Sequence, residues 1–384
     1  MTYAQGGTFY DSDSHLMETE DWLHSHATAE EAALIGHLNP GNAGLGVHKA
    51  IAKAQARRAD PEATAKLLQE PIISGPKGWF AYGASTPDER SKALDLLGFQ
   101  RQLIFPTFAL GQFARSGDDA VLYAGANALN RGMARFCAHD PRMLAVGFLP
   151  LRDAARAMVA LEAGIAEGVK AFWVSADPAG DRSPAHVDHE PIWARLAQAN
   201  IPIMLHIGAG RLLARAYHNN GRPQPNDWLG GGENLRAKDW PATAHAAQDF
   251  LTALVLDGVF ERNPRLRCGV IELGGTWLPG FMRVLDQAGS NFKKSEPLLG
   301  ELTLKPSDYL RRQVRVSLFA FEDAGWLIEQ AGEELLMFAS DYPHPEGGRD
   351  PIGRFEASLD ARGMGPAARA RFYHQNFAEL MGLA

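Results

Sequence analysis

Short apolar runs, several of them rich in β-branched residues, alternate along the chain with longer stretches whose apolar positions recur at helical spacing. That alternation is the pattern of a parallel sheet with crossover helices. The strand candidates are residues 8–13, 102–105, 144–149, 170–175, 202–206, 267–272, 313–319 and 335–340. Helical periodicity covers 119–138, 152–168, 190–199, 243–262, 280–289 and 324–331, with a closing pair near 351–363 and 366–382. Eight strands with intervening helices over 384 residues predict an α/β fold, a (β/α)8 TIM barrel, in preference to an open doubly wound sheet of the same strands. No Gly-x-Gly-x-x-Gly follows a strand, so a dinucleotide crevice has no support.

Two segments exceed an ordinary connection. A helical insertion at about 27–100 follows the first strand, with helical patterns at 29–37, 49–58 and 61–70. A further helix starts at Pro87, where Thr86 is placed to cap and proline suits the first turn. A long loop at about 209–240 follows the fifth strand, rich in Gly, Asn, Arg and Trp, with Gly-Gly-Gly at 230–232. Long loops in compact domains serve as lids, binding elements or subunit contacts. No repeat or linker divides the chain, so 1–384 reads as a single barrel domain carrying these two insertions.

Charge narrows the range of partners. With 38 Lys+Arg against 45 Asp+Glu the net charge is −7, which argues against a nucleic-acid or anionic-membrane footprint. The hydrophobic share of 46% and charged share of 22% exclude wholesale disorder. Cys137 and Cys268 lie far apart and in no metal-like spacing, so a disulfide framework or cysteine-rich zinc site is not expected. The first basic residue is Lys49, which leaves no basic start for a signal peptide, and no apolar run reaches membrane-spanning length. The expectation is a soluble, cytoplasmic protein.

Polar residues stand at the carboxyl ends of these strands, where barrel active sites lie. Asp13 and His15 are two apart, so a strand's period of two turns a carboxylate and an imidazole to one face. His206 ends the run Ile201-Pro202-Ile203-Met204-Leu205, Glu272 ends Cys268-Gly269-Val270-Ile271, and Asp341 follows Leu336-Met337-Phe338-Ala339-Ser340. Taken singly, each has an ordinary structural reading as a satisfied core histidine, a turn residue or a polar strand edge. In a closed barrel the eighth strand adjoins the first and the fifth faces them, so Asp13, His15, His206 and Asp341 converge as a mixed nitrogen–oxygen metal site.

At these residues the chain resembles the metal-dependent amidohydrolase superfamily, in the branch related to aminocarboxymuconate-semialdehyde decarboxylase. The matching pieces are Asp11-Ser12-Asp13-Ser14-His15-Leu16-Met17-Glu18, Pro202-Ile203-Met204-Leu205-His206 and Asn263-Pro264-Arg265-Leu266-Arg267. Further along come Ile271-Glu272-Leu273-Gly274-Gly275-Thr276-Trp277-Leu278-Pro279, Phe338-Ala339-Ser340-Asp341-Tyr342-Pro343-His344 and, in the closing helix, Asn376. The resemblance implies a barrel holding one divalent metal, Zn2+ first, with Mn2+ or Fe2+ as alternatives. It makes Asp13, His15, His206 and Asp341 the ligands. Two departures stand out. Asp13 replaces the His or Glu of the named decarboxylase, and Glu272 occupies the place where the decarboxylases carry a catalytic His.

A divalent ion with an open position acidifies bound water and polarises a substrate oxygen. Asp341 is then the expected proton acceptor, Glu272 a second acid or base, and His344 a support for an oxyanion. Because Glu272 departs from the decarboxylase pattern, the sequence favours a hydrolase acting on an amide, ester, lactone or C–C bond of a small, ring-containing substrate. The alternative is a nonoxidative decarboxylase of an aromatic or muconate-like acid. A remoter one is a non-catalytic metal-binding protein on an old enzyme fold. Phe105, Trp173 and Trp277 are candidate pocket walls, and Arg152 after the third strand and His186 or His189 after the fourth are candidate anion contacts. The expected partners are a small-molecule substrate and other copies of the chain, as a homodimer or higher homo-oligomer.

Overall fold

Each strand pairing in the sheet is parallel. The strands are β1 (Tyr10–Asp11), β2 (His15–Leu16), β3 (Arg101–Pro106), β4 (Met143–Phe148), β5 (Ala171–Trp173), β6 (Ile203–His206), β7 (Cys268–Ile271), β8 (Val314–Ser317) and β9 (Leu336–Met337). This is a computed structural model, which describes residues 2–38, 44–223 and 235–383. The order β1-β3-β4-β5-β6-β7-β8-β9, with β2 also on β3, is that of a (β/α)8 barrel. β3 is buried along all but its first residue, and β4 to β9 are buried throughout. That burial explains why they read as nearly continuous apolar runs instead of alternating ones.

All eight strands expected from the sequence are present, but the first is broken. β1 pairs with β3 through Tyr10↔Arg101, and β2 resumes the pairing through His15↔Phe105. In the break, the Ser12 hydroxyl donates to the Phe338 carbonyl at 2.7 Å and the Ser14 hydroxyl to the Leu103 carbonyl at 2.6 Å. Side-chain donors thus replace part of a regular ladder.

The barrel closes along an irregular seam between this broken stave and β9. Ser12 N–H donates to Phe338 O at 3.2 Å, Asp341 N–H to Asp13 O at 2.9 Å, and His15 N–H to Tyr342 O at 2.8 Å. Buried Asp11 adds a side-chain clasp, accepting from Ser340 N–H at 2.7 Å and from its hydroxyl at 2.6 Å.

The crossover helices begin where the sequence places caps. Asp118 and Asp153 accept from the first-turn amides of Asp119–Cys137 and Ala154–Glu167. The stretch expected at 243–262 is two helices, His245–Leu256 and Val259–Arg262, because Gly258 between them takes φ +73°. The insertion folds as Trp22–Ser25, Ala29–Ala32, Gly44–Ala59, Pro61–Leu67 and Pro87–Leu97. Thr86 precedes the last of these without a side-chain capping bond. Two short helices, Pro297–Glu301 and Pro306–Gln313, were not evident from periodicity, since each offers too few turns to show a stripe. In the second insertion only the one-turn helices Arg215–His218 and Trp240–Ala242 are regular, and the glycine run at 230–232 lies outside the described residues. Cys137 and Cys268 are buried free thiols. Among the described residues, no helix is long and apolar enough to cross a membrane.

Candidate metal centre

The carboxyl ends of the first, fifth, sixth and eighth staves converge on one point. His15 Nε2 stands 3.3 Å from Asp13 Oδ1, 3.7 Å from Asp341 Oδ1 and 3.9 Å from Glu272 Oε2. His206 Nε2 approaches the same Asp13 oxygen and the same Glu272 oxygen, each at 3.4 Å. Asp13, His15, His206 and Glu272 each offer a donor atom within 4.8 Å of the others, as do His15, Glu272, Asp341 and His344.

Backbone carbonyls set the histidines. His15 Nδ1 lies 3.3 Å from the Pro106 carbonyl and His206 Nδ1 2.8 Å from that of Ile207. A carbonyl only accepts, so each Nδ1 carries the hydrogen and each Nε2 presents a lone pair to the cluster. His15 Nε2, His206 Nε2, Asp13 Oδ1 and Asp341 Oδ1 are all buried with no hydrogen-bond partner. Four orphaned donor atoms meeting at one point would be costly unless something else satisfied them. A divalent cation bound by nitrogen and oxygen fits that set.

The electrostatics agree. Burial, reinforced by the nearby His344, pushes the His15 imidazole down to about 3, so it stays neutral and available as a ligand. Burial raises Asp341 to about 6, against the opposing pull of His344. Both end-of-strand carboxylates occupy left-handed backbone, Glu272 at φ +53° and Asp341 at φ +51°. Such conformations are uncommon outside glycine and recur where a side chain is re-aimed at a site. The Ser317 hydroxyl fixes the Glu272 turn by accepting its N–H at 3.0 Å.

Around this centre, His344 stacks on His15 with centroids 4.0 Å apart, while its Nδ1 stands 3.1 Å from Asp341 Oδ1. Its Nε2 lies 3.2 Å from the Thr107 hydroxyl. Phe105 and Trp173 pack against His206 at centroid separations of 4.5 and 4.7 Å, and the Trp173 indole N–H is buried without an acceptor. The other wall candidates are engaged elsewhere. Trp277 donates to Gly274 O at 2.7 Å and packs on Phe281. Arg152 bonds to Asp119 and to the Ser116 carbonyl. His189 bridges the carbonyls of Ser183 and Leu151, His186 caps Asp188 N–H, and Asn376 ties down the Glu333 and Leu336 carbonyls.

Sequence reasoning missed a supporting layer. Buried Glu18 accepts from the amides of Thr107 at 2.9 Å, Phe108 at 3.0 Å and Ala109 at 3.4 Å, and so shapes the loop that touches His344. Buried Arg90, from the insertion helix Pro87–Leu97, donates to the carbonyls of Gly83 and His15 and to Gln102 Oε1. Gln102 in turn donates to Asp11 at 2.7 Å. The only sequence signal was a carboxylate three residues after His15; nothing local marks Arg90.

The fold recurs in solved structures. An amidohydrolase from Mycobacterium avium subsp. paratuberculosis superposes with a TM-score of 0.72 at 21% identity, over 98% of both chains. 5-Carboxyvanillate decarboxylase from Sphingomonas paucimobilis gives 0.61 at 18% identity, over 98% of this chain and 99% of that one. A dihydroxybenzoic acid decarboxylase from Polaromonas sp. JS666, with bound manganese and the inhibitor 2-nitroresorcinol, gives 0.62 at 17% identity, over 98% of this chain and 97% of that one. No curated relative matches by sequence. The model of the amidohydrolase family matches residues 11–383, and with a barrel and seam of this kind the chain belongs to that family of enzymes.

Proposed function

We propose that this enzyme is a metal-dependent, nonoxidative decarboxylase of a small aromatic acid. The observation that carries the proposal is the set of four buried, orphaned donor atoms opening beside two aromatic rings, Phe105 and Trp173. Several chains of the same fold are decarboxylases of hydroxylated benzoic acids, two of them with manganese. This reading replaces the hydrolase that Glu272 alone favoured.

Asp13, His15, His206 and Asp341 would hold the ion, with Glu272 beside it. Carboxylates beside two imidazoles suit Mn2+ as well as Zn2+, and the oxygen-rich balance favours Mn2+. When bound, the ion supplies fixed positive charge against the carboxylate and ring oxygens of the substrate. Phe105 and Trp173 orient the ring, and the Trp173 N–H donates to a substrate oxygen. The bond between ring carbon and carboxyl carbon breaks, its electron pair stays on the ring, and carbon dioxide leaves. The ring carbon takes a proton from the Glu272 carboxyl, whose side chain is 11% exposed and so can be reprotonated from solvent. His344 stands beside Asp341 and covers one face of the His15 ring.

Hydrolysis retains one supporting observation: Glu272 and Asp341 put two carboxylates on the centre, enough to take and return a proton. Mass spectrometry separates the two reactions. The protein loaded with Mn2+ or Zn2+ is incubated with 2,6-dihydroxybenzoate, 5-carboxyvanillate, and a panel of amides and lactones. Loss of carbon dioxide from a benzoate is expected; gain of water by an amide or lactone, with every benzoate intact, would overturn the proposal.

A further inference from the structure

The insertion lays one stretch of chain over the barrel mouth. Met17 N–H donates to Ala84 O at 2.8 Å, and Gly78 N–H donates to Pro343 O at 2.8 Å. The Trp79 indole donates to Glu18 O at 2.9 Å, and the Tyr342 hydroxyl to Tyr82 O at 2.6 Å. Residues 77–84 are therefore tied both to the end of the first stave and to the loop that carries Asp341 and His344. Lys77 lies within this strap. Its ammonium nitrogen is buried, has no hydrogen-bond partner among the described residues, and sits 5.7 Å over the Tyr342 ring. The other buried cationic side chains with a nitrogen lacking a partner are Arg57, Arg152, Arg267 and Arg315, whose guanidinium groups bond through their remaining nitrogens. For Lys77 the whole charged group is left over.

A buried ammonium without an acceptor is costly, and a single ring face offsets only part of that cost. The charged groups that act on it are Asp341 and Glu346, which attract it, and Arg349, which repels it. Burial lowers it to about 8 against the pull of Asp341, so it remains charged at neutral pH. A cation held in this way, acted on by Asp341 of the centre, is a group that an anionic partner would satisfy.

We propose that Lys77 recognises a second acidic group of the substrate, a carboxylate or phenolate remote from the reacting carbon, so that the preferred substrate is a dianionic aromatic acid. This deepens the decarboxylase reading and rests on it. Lys77 is a specificity residue on this view, supplied by the insertion and not by the barrel.

Calorimetric binding to the Mn2+-loaded protein tests it, with isophthalate and benzoate as probes. Neither carries the ring hydroxyl that would favour turnover, so binding is read alone. The wild type should bind isophthalate about 10-fold or more tighter than benzoate, as expected for one charge-assisted contact. Lys77→Met should erase that preference while leaving benzoate affinity and metal content unchanged, and Lys77→Arg should restore most of it. Equal binding of the two acids by the wild type, or a preference that survives in Lys77→Met, overturns the role of Lys77 and leaves the decarboxylase reading standing. If neither acid binds the wild type, the role of Lys77 falls, and the decarboxylase reading is decided separately by loss of carbon dioxide from the hydroxylated benzoates.

Discussion

The amide of Asp341 donates to the carbonyl of Asp13 at 2.9 Å, so a backbone bond directly joins the two carboxylate-bearing residues of the last and first staves. Asp341 makes that bond from left-handed backbone at φ +51°, a region asparagine tolerates well. Asp341→Asn should therefore fold normally, with an unchanged melting temperature. It removes the anionic oxygen that faces His15, so metal should bind more weakly and turnover should fall about 10²–10⁴-fold. Metal stoichiometry and rates on the metal-saturated variant check both effects; full activity would exclude Asp341 from the chemistry.

Glu272→Gln keeps the shape of the side chain and removes its proton. If Glu272 protonates the ring carbon, the rate should drop about 10²-fold or more and the limb of the pH–rate profile due to its ionisation should vanish. An effect confined to KM, with the pH profile intact, would make it a ligand or an orienting group instead.

The preference for a dianionic acid should depend on pH in one direction. Lys77 carries its charge below about 8 and loses it above, with Asp341, Glu346 and Arg349 as the charged groups acting on it. The isophthalate-over-benzoate ratio should be constant near neutrality and decline as pH rises through about 8. A ratio that holds well above that pH would place the second anion elsewhere.

Arg90→Met tests the support beneath the centre. The guanidinium bonds to Gly83 O at 2.6 Å, Gln102 Oε1 at 3.2 Å and the carbonyl of His15. Its removal leaves three buried acceptors unpaired, which should cost about 3 kcal/mol or more. Urea unfolding should show that loss, and Mn2+ titration of the folded variant should show weaker binding, because the carbonyl that Arg90 holds belongs to a residue of the cluster. Unchanged metal affinity would confine Arg90 to a structural role.

The barrel and its centre differ in how much of them a sequence can display. Strands such as Ile203–His206 are buried on both faces, so their apolar runs are conspicuous, and the lone polar residue at the end marks the mouth. Asp13 and His15 could be paired from a period of two, although the strand between them is broken by serine hydroxyls that periodicity does not register. Trp277 and Arg152 share the residue types of a pocket wall, yet the Trp277 indole and two of the Arg152 guanidinium nitrogens bond to nearby groups, and composition cannot distinguish the two cases. Lys77 and Arg90 were illegible for another reason. They lie 60 or more residues from Asp13 and His15, in an insertion whose path across the mouth is set by bonds to the Met17 amide and to the Glu18 and Pro343 carbonyls, which leave no pattern in the chain.

The seam between the first and last staves is where the barrel has the least regular ladder, and it runs directly under the cluster. Asp13 and His15 stand on one side of it and Asp341 on the other. An ion shared by these three would act as a rivet through the joint, so occupancy and closure would be thermodynamically linked. The enzyme would be least well fastened when empty, and amide exchange at Ser12, His15 and Asp341 would then report the filling of the centre without any substrate present.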